Sequence, residues 1–372
     1  MQPARTVAID FRAYDHMSVA SGQYRYGVDL AAGLAKLQPE IDFVILGSRP
    51  DPVSEMVPIF ADPHWRYVSV PRLTGKGRVY REHSMYFRLL RKLKINLLHT
   101  LHTFVPMYPP VPVIETVHDM MFELFPDYAG IVRAHEYRMH KWAFLRFVNR
   151  AIAISETTKD DLQNLWHYPA EKIDVVYHGT AFGNEFEPPS IGNEPVVLSH
   201  YNLEPRKNLP SLLEAVAASK LPFKLVLFGH AATDLRRDQQ FREEIARCKL
   251  QDRLVLTGFL TDAQLNGWYH RANVFIFPSL YEGFGLPVLE AMRAGACVLA
   301  HNGSAMAEVV GDSGLKIDMN SVREIRAALE RCLQDSDLRR DLGSRAAERA
   351  ELFTRERMAR ETLVVYRKVL NL

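Results

Sequence analysis

The sequence predicts an α/β protein of two domains, each a parallel sheet carrying helices, and three observations lead there. With 372 residues the chain is too long for one small core and suits two domains of ordinary size. Short apolar runs of strand type alternate with helical patterns along its length, as parallel sheets require. Between Gly183 and Pro195 the alternation stops, and prolines, glycines and polar residues without apolar period read as a linker. The expected layout is residues 1–182 for the first domain, 183–195 for the linker, 196–353 for the second domain and 354–372 as a closing segment.

A hydrophobic fraction of 47% supports a globular chain. The formal charge of +2 is close to balance, so no nucleic-acid partner is expected. No apolar run approaches the roughly 20 residues needed to cross a bilayer. Met1 to Thr6 leads straight into a strand, so a cytoplasmic protein is expected. Cys248, Cys297 and Cys332 lack metal-ligand spacing and sit inside helical or strand patterns, which suits reduced packing residues.

The first strand is Val7 to Asp10, followed by a polar turn and a helical run from Tyr24 to Leu37. Phe43 to Gly47 and Tyr67 to Val70 are the next strands. Over residues 77–94 a basic helix is expected: Arg78, Arg81, Arg88, Arg91, Lys92 and Lys94 accompany one acid, Glu82, while Val79, Tyr86, Leu89, Leu90 and Leu93 recur at helical spacing. It has two readings. It lies on an anionic membrane surface, or its stripe packs on the sheet and its cations stay in water. A second basic, aromatic helix, Arg133 to Arg150 with Trp142, Phe144 and Phe147, favours the membrane. Ile95 to His99 and Val113 to Val117 are β-like, and the second ends in His118 and Asp119 at the expected carboxyl edge of the sheet, where ligands collect. Ala151 to Ser155 gives a buried strand and an N-cap.

Beyond the linker, Pro195 to Ser199 restarts the pattern. Arg206 and Lys207 precede a helix from Leu209 to Ala217. A forked guanidinium beside a point-charge ammonium can neutralise a departing diphosphate; a merely charged helix entrance is the alternative. Lys224 to Gly229 and Arg253 to Phe259 continue the sheet, and Asp262 to His270 is helical. Val274 to Phe277, aromatic-rich and stopped by Pro278, reads as a buried strand, and a helix from Pro287 to Ala294 ends at Gly295. The loop between them therefore lies at a helix N-terminus, where the N–H groups of Gly283, Phe284, Gly285 and Leu286 can face an anion. Glu290, one turn into the helix, suits the vicinal hydroxyls of a ribose, and Glu282 stands where a sugar beyond the phosphates would lie. Two surface glutamates on an ordinary strand-turn-helix are the other reading. Cys297 to Ala300 is taken as the last core strand, and helices follow from Ser321 and Leu338.

Glu282 and Glu290, seven residues apart around Gly-Phe-Gly-Leu-Pro, closely resemble the E-x7-E signature of retaining glycosyltransferases with two Rossmann-like domains, glycosyltransferase family 4 in particular. The resemblance covers nearly the whole chain, most strongly Pro195 to Gly314. It implies the GT-B architecture, two Rossmann-like domains facing across a cleft, with a nucleotide diphosphate sugar held by the second domain and a glycan or lipid-linked acceptor by the first. It also implies that the segment from Thr354 crosses back onto the first domain. Glu204 to Leu209 matches the family motif almost letter for letter, which gives Arg206 and Lys207 to the diphosphate. His118 is implied to hydrogen-bond a sugar hydroxyl and Asp119 to position the acceptor; a structural histidine at a strand end is the alternative. Gly22, before Arg25-Tyr26, resembles the family's glycine turn, although Tyr24 stands where many relatives have a second glycine; a plain loop glycine is the alternative. Gly258 and Phe259 fall on the loop that borders the base in relatives. His200, Tyr201 and Asn202 stand where relatives usually carry glycine. No cofactor and no metal are expected, since a helix N-terminus with two cations can replace a divalent ion at the diphosphate.

The reaction implied is hexosyl transfer with retention, with guanine nucleotide and mannose favoured by similar relatives, and contact with an anionic membrane as a peripheral protein on its inner face. Other readings are a nucleotide-sugar epimerase of the same shape, a phosphorylase-like enzyme needing a pyridoxal-bearing lysine, and a silent sugar-nucleotide binder.

Overall fold

The computed structural model describes residues 5–14, 17, 21–37, 40–70, 73, 78–126, 130–183, 185–229 and 235–372. They form two compact units: Met1–Thr180 with Thr354–Leu372, and Ala181–Phe353. The first contains β1 (Arg5–Asp10), α1 (Gly22–Leu37), β2 (Ile41–Gly47), β3 (Trp65–Ser69), α2 (Arg78–Lys92), β4 (Leu97–Thr100), β5 (Val113–Val117), α3 (Met121–Leu124), α4 (Gly130–Phe147), β6 (Arg150–Ala153), α5 (Glu156–Trp166) and β7 (Ile173–Val175). The second contains β8 (Val196–His200), α6 (Leu209–Ala218), β9 (Lys224–Phe228), α7 (Leu235–Arg247), β10 (Leu254–Gly258), α8 (Asp262–Arg271), β11 (Val274–Phe277), α9 (Leu286–Arg293), β12 (Val298–His301), α10 (Ser304–Val310), β13 (Leu315–Ile317), α11 (Val322–Gln334) and α12 (Ser336–Ala350); α13 (Arg355–Leu370) belongs to the first.

The first sheet runs β3-β2-β1-β4-β5-β6-β7 and every neighbour is parallel. Helices cover both faces, so β1 is buried throughout from Thr6 to Asp10 and shows no polar alternation. The winding reverses between β1 and β4, which opens a crevice beyond their carboxyl ends. The second sheet, β10-β9-β8-β11-β12-β13, is likewise parallel and reverses between β8 and β11. Its core joins Val197, Leu225, Ile276 and Leu299 of the sheet to Leu212 and Val216 of α6 and Ile325 and Leu329 of α11.

Two sequence readings change. Cys297 to Ala300 is not the last strand, because β13 adds a three-residue edge pairing with β12; it carries Lys316 and is too short for a periodic signal. In α2, Tyr86 and Leu90 are fully buried in the core, so much of its apolar stripe is already used on the sheet. Gly77, the expected start of the basic helix, lies outside the described residues.

α13 packs along α1. Glycine makes the approach possible: a Cβ on Gly33 would stand 2.7 Å from the Arg355 carbonyl oxygen, and Gly179 lies against the backbone of Thr354. Thr354 caps α13 by accepting from the Arg357 N–H at 3.2 Å. Further in, the Tyr366 hydroxyl meets His99 Nδ1 at 2.7 Å in the buried core.

Candidate active site

In the second unit, the chain leaves β8 at His200 and passes through a 3-10 turn, Pro205–Lys207, before α6. It leaves β11 at Phe277 and reaches α9 through a loop ending at Gly285. Because β8 and β11 are neighbours at the winding reversal, the two loops lie side by side, and the Leu280 N–H donates to the Arg206 carbonyl at 2.8 Å. The chemistry of both sequence motifs thus gathers at one sheet edge.

Three charges form its centre. Glu282 Oε1 accepts from Lys207 Nζ at 2.6 Å and lies 3.0 Å from Arg206 Nη1. The Ser279 hydroxyl donates to the same oxygen at 2.6 Å. Arg206 also donates to the Tyr281 carbonyl at 3.0 Å and pairs with Glu204 at 2.8 Å. Lys207 stands 5.3 Å from the centre of the Phe277 ring, a cation over an aromatic face. Side-chain exposures of 13% for Arg206, 12% for Lys207 and 14% for Glu282 leave each partly reachable. Burial alone would raise the Glu282 carboxyl, but Lys207 and then Arg206 outweigh it and hold it down at about 2. His200 feels the same charges. Burial, then Lys207, brings its imidazole down to about 3, so it is neutral beside the cations.

The loop then delivers the start of α9. Gly285 takes φ +98° and has no side-chain cap on the helix behind it; this left-handed conformation favours glycine. A Cβ there would also lie 3.1 Å from Met306 Cγ. Phe284 is buried edge-on against Phe353, with ring centres 5.8 Å apart, and Gly283 and Leu286 are buried beside it. Glu290 is 4% exposed and accepts from the Tyr269 hydroxyl at 3.1 Å. Gly258 ends β10 at φ +70°, and Phe259 after it is 57% exposed.

His118 and Asp119 follow β5 in the first unit. His118 Nε2 meets the Tyr14 hydroxyl at 2.7 Å and the Leu101 carbonyl at 3.1 Å, and the Tyr26 ring stands edge-on to it. Burial brings its imidazole down to about 4, although the Leu101 carbonyl opposes this. Asp119 accepts from the Met121 N–H at 3.0 Å, which fixes the turn into α3. Gly22 is the first residue of α1. Sequence reasoning does not find Ser279, Tyr269, Tyr14 or Tyr26, each remote in sequence from its partner or an unremarkable loop residue.

Two parallel Rossmann-like units, the second with a charged cluster at its winding reversal, have the architecture of the GT-B class of glycosyltransferases. Comparison with known proteins agrees. Residues 20–181 match the family described as Glycosyltransferase Family 4, and residues 183–349 match that described as Glycosyl transferases group 1. The O-antigen chain mannosyltransferase B of Escherichia coli is 29% identical over 296 residues, 75% of this chain and 76% of its own. Among solved structures, sucrose-phosphate synthase from Thermosynechococcus elongatus covers 99% of both chains with TM-score 0.79 at 22% identity. Anabaena HepE in complex with UDP covers 98% of this chain and 100% of its own with TM-score 0.77 at 17% identity. Between them the two family matches span most of the chain and support a glycosyltransferase of the family 4 type.

Proposed function

We propose that the protein transfers a hexose, with mannose favoured, from a nucleoside diphosphate sugar to a glycan or lipid-linked saccharide in cell-surface polysaccharide synthesis, with retention at the anomeric carbon. The observation that carries this reading is the Arg206–Lys207–Glu282 cluster, which shares one sheet edge with the start of α9. Support comes from the relative named as an O-antigen chain mannosyltransferase and the similar fold solved with UDP.

In this mechanism the diphosphate lies at the N-terminus of α9, and Arg206 and Lys207 take up the charge that grows as the bond from the anomeric carbon to phosphate oxygen breaks. The acceptor oxygen bonds to the same face of that carbon, and its proton passes to the departing phosphate oxygen. Glu282 holds both cations in place until the diphosphate arrives. Glu290, already bonded to Tyr269, is a rigid acceptor for ribose hydroxyls. The charge is assigned to these groups and not to a divalent ion.

Peripheral membrane contact is part of the proposal. Among the described residues no helix is long and apolar enough to cross a membrane. On α4, Trp142 and Leu145 are exposed beside Arg138 and Arg146, and Trp142, Phe147 and Tyr108 form a ring cluster with centres 5.6 and 5.1 Å apart. Cations beside exposed rings fit an anionic interface.

A thermal-shift panel of nucleoside diphosphates and their sugars tests the donor, since a ligand of the native state raises the melting temperature. NMR of the product formed from the best donor then reads the anomeric configuration. An inverted product, or donor conversion without any acceptor, overturns the proposal.

A further inference from the structure

His200, Tyr201 and Asn202 lead the chain out of β8 at the winding reversal of the second unit, and the mechanism above uses none of them. The fold accounts for two. Tyr201 is buried against Phe241 of α7, with ring centres 4.7 Å apart and its hydroxyl donating to Asp238 at 3.4 Å. Asn202 accepts from the Glu204 N–H at 2.8 Å, which shapes the turn toward Pro205. His200 has no such use.

His200 ends β8, Phe228 ends β9 and Phe277 ends β11, so three rings close the carboxyl edge of three adjoining strands. The imidazole stands edge-on to Phe228 at 5.3 Å and tilted to Phe277 at 6.3 Å. Lys207 Nζ lies over the same Phe277 ring, so the imidazole and the ammonium share a neighbour. Gly229, just past β9, leaves room for the histidine: a Cβ there would lie 3.1 Å from His200 Nε2. The residue is partly exposed, but its Nδ1 is buried and has no hydrogen-bond partner among the described residues. Buried polar atoms rarely stay unpaired, so this nitrogen calls for a partner from outside the chain.

The neighbours select that partner. Burial and then Lys207 keep the ring neutral, so it carries a single N–H. Lys207, Glu282 and Arg206 are the charges that act on it, the cluster placed above at the departing phosphate. Phosphate oxygens only accept, and a neutral N–H gives them one more hydrogen bond without adding a third cation beside Arg206 and Lys207. We propose that His200 is a specificity-determining contact to the donor, its Nδ1–H donating to an oxygen of the β-phosphate and so favouring a diphosphate over a monophosphate. The inference rests on the transferase reading for the place of that phosphate; the affinities that test it require no transfer.

The test titrates GDP, GMP, UDP and UMP calorimetrically into the full chain as wild type, His200→Leu and His200→Asn. Asparagine brings an amide N–H close to the position of Nδ1, and leucine fills the space without one. Wild type should prefer the diphosphate to the monophosphate of the base it binds. His200→Leu should weaken the diphosphate about tenfold, the weight of one hydrogen bond to a charged group, and the monophosphate less than about twofold. His200→Asn should recover most of the loss. An unchanged ratio of diphosphate to monophosphate affinity in His200→Leu, or an asparagine variant no better than the leucine one, overturns the inference. Ligand-free melting curves show whether each variant is folded. If His200→Leu is not, His200→Gln, whose amide reaches the Nε2 position instead, replaces it, and equal diphosphate binding by the Asn and Gln variants overturns the inference. Wild type with no preference for a diphosphate overturns the proposed donor site as well. A preference that survives in His200→Leu sinks the inference alone.

Discussion

Lys207 Nζ stands 2.6 Å from Glu282 Oε1, joining residues 75 positions apart across the loops of two neighbouring strands. The contact pairs an ammonium with a carboxylate that also meets Arg206 and Ser279, at the sheet edge where the proposed diphosphate would lie. Removing one partner tests whether the pair serves chemistry or only the fold.

Lys207→Ala should cut turnover about 100-fold or more, the cost of one lost transition-state charge donor. Steady-state rates with saturating donor and acceptor, alongside melting curves, provide the check. Near-normal turnover in a folded variant excludes Lys207 from the reaction.

Acid should weaken the first unit before the second. Burial holds His99 and His178 down at about 3 and His118 at about 4 in the first unit, against His200 at about 3 in the second. A depressed histidine stays neutral in the fold while the unfolded chain takes up a proton, so stability falls as pH drops below about 6.5. Each such histidine contributes at most about 1.4 kcal/mol per pH unit. Thermal melts from pH 7.5 to 5 should separate into two transitions, the lower one moving more steeply with pH and traced to the first unit by hydrogen exchange. A single transition with a flat pH response above pH 5 contradicts this.

Glu282 should show its linkage at lower pH. Its carboxyl is held at about 2 against an ordinary 4.5, so the stabilisation is complete above pH 4.5 and is lost as pH falls toward 2. Denaturant melts of wild type and Glu282→Gln should therefore differ by about 3 kcal/mol near neutrality, and the gap should close on acidification.

Tyr366→Phe should destabilise the first unit by about 1–3 kcal/mol, because it strips the partner from a buried ring nitrogen of His99. Urea unfolding followed by hydrogen exchange in β4 reports it, and a change confined to the second unit would be the wrong sign of coupling.

With the diphosphate charge assigned to Arg206, Lys207 and the start of α9, turnover should change less than about twofold on prolonged dialysis against EDTA, where removing one transition-state donor costs about 100-fold. Loss of activity restored by magnesium or manganese shows that the cations do not suffice.

Much of the fold is legible in the sequence because parallel strands buried on both faces leave unbroken apolar runs, as Val274 to Phe277 does. β13 escapes because three residues with a central lysine at an edge carry no such pattern. The two loops of the second unit are legible as motifs, and what the letters cannot show is that Lys207 and Glu282 bond each other, since pairing follows strand order and not spacing. The α2 stripe fits a membrane or a core equally well in the sequence, and the structure buries Tyr86 and Leu90 of it in the core of the first unit. The buried ring contacts of the first unit, such as Tyr26 against His118 and His178, arise from residues 92 and more positions apart and give no local signal.

The close seat of α13 on α1, permitted by Gly33 and Gly179, also orders events during synthesis. Strands β1 to β7 emerge from the ribosome first, yet the helix that supplies Tyr366 to their core is made only after residues 181–353. The second unit, continuous in the chain, can close on itself while its elder neighbour still waits for a part, so the half translated first is the half finished last.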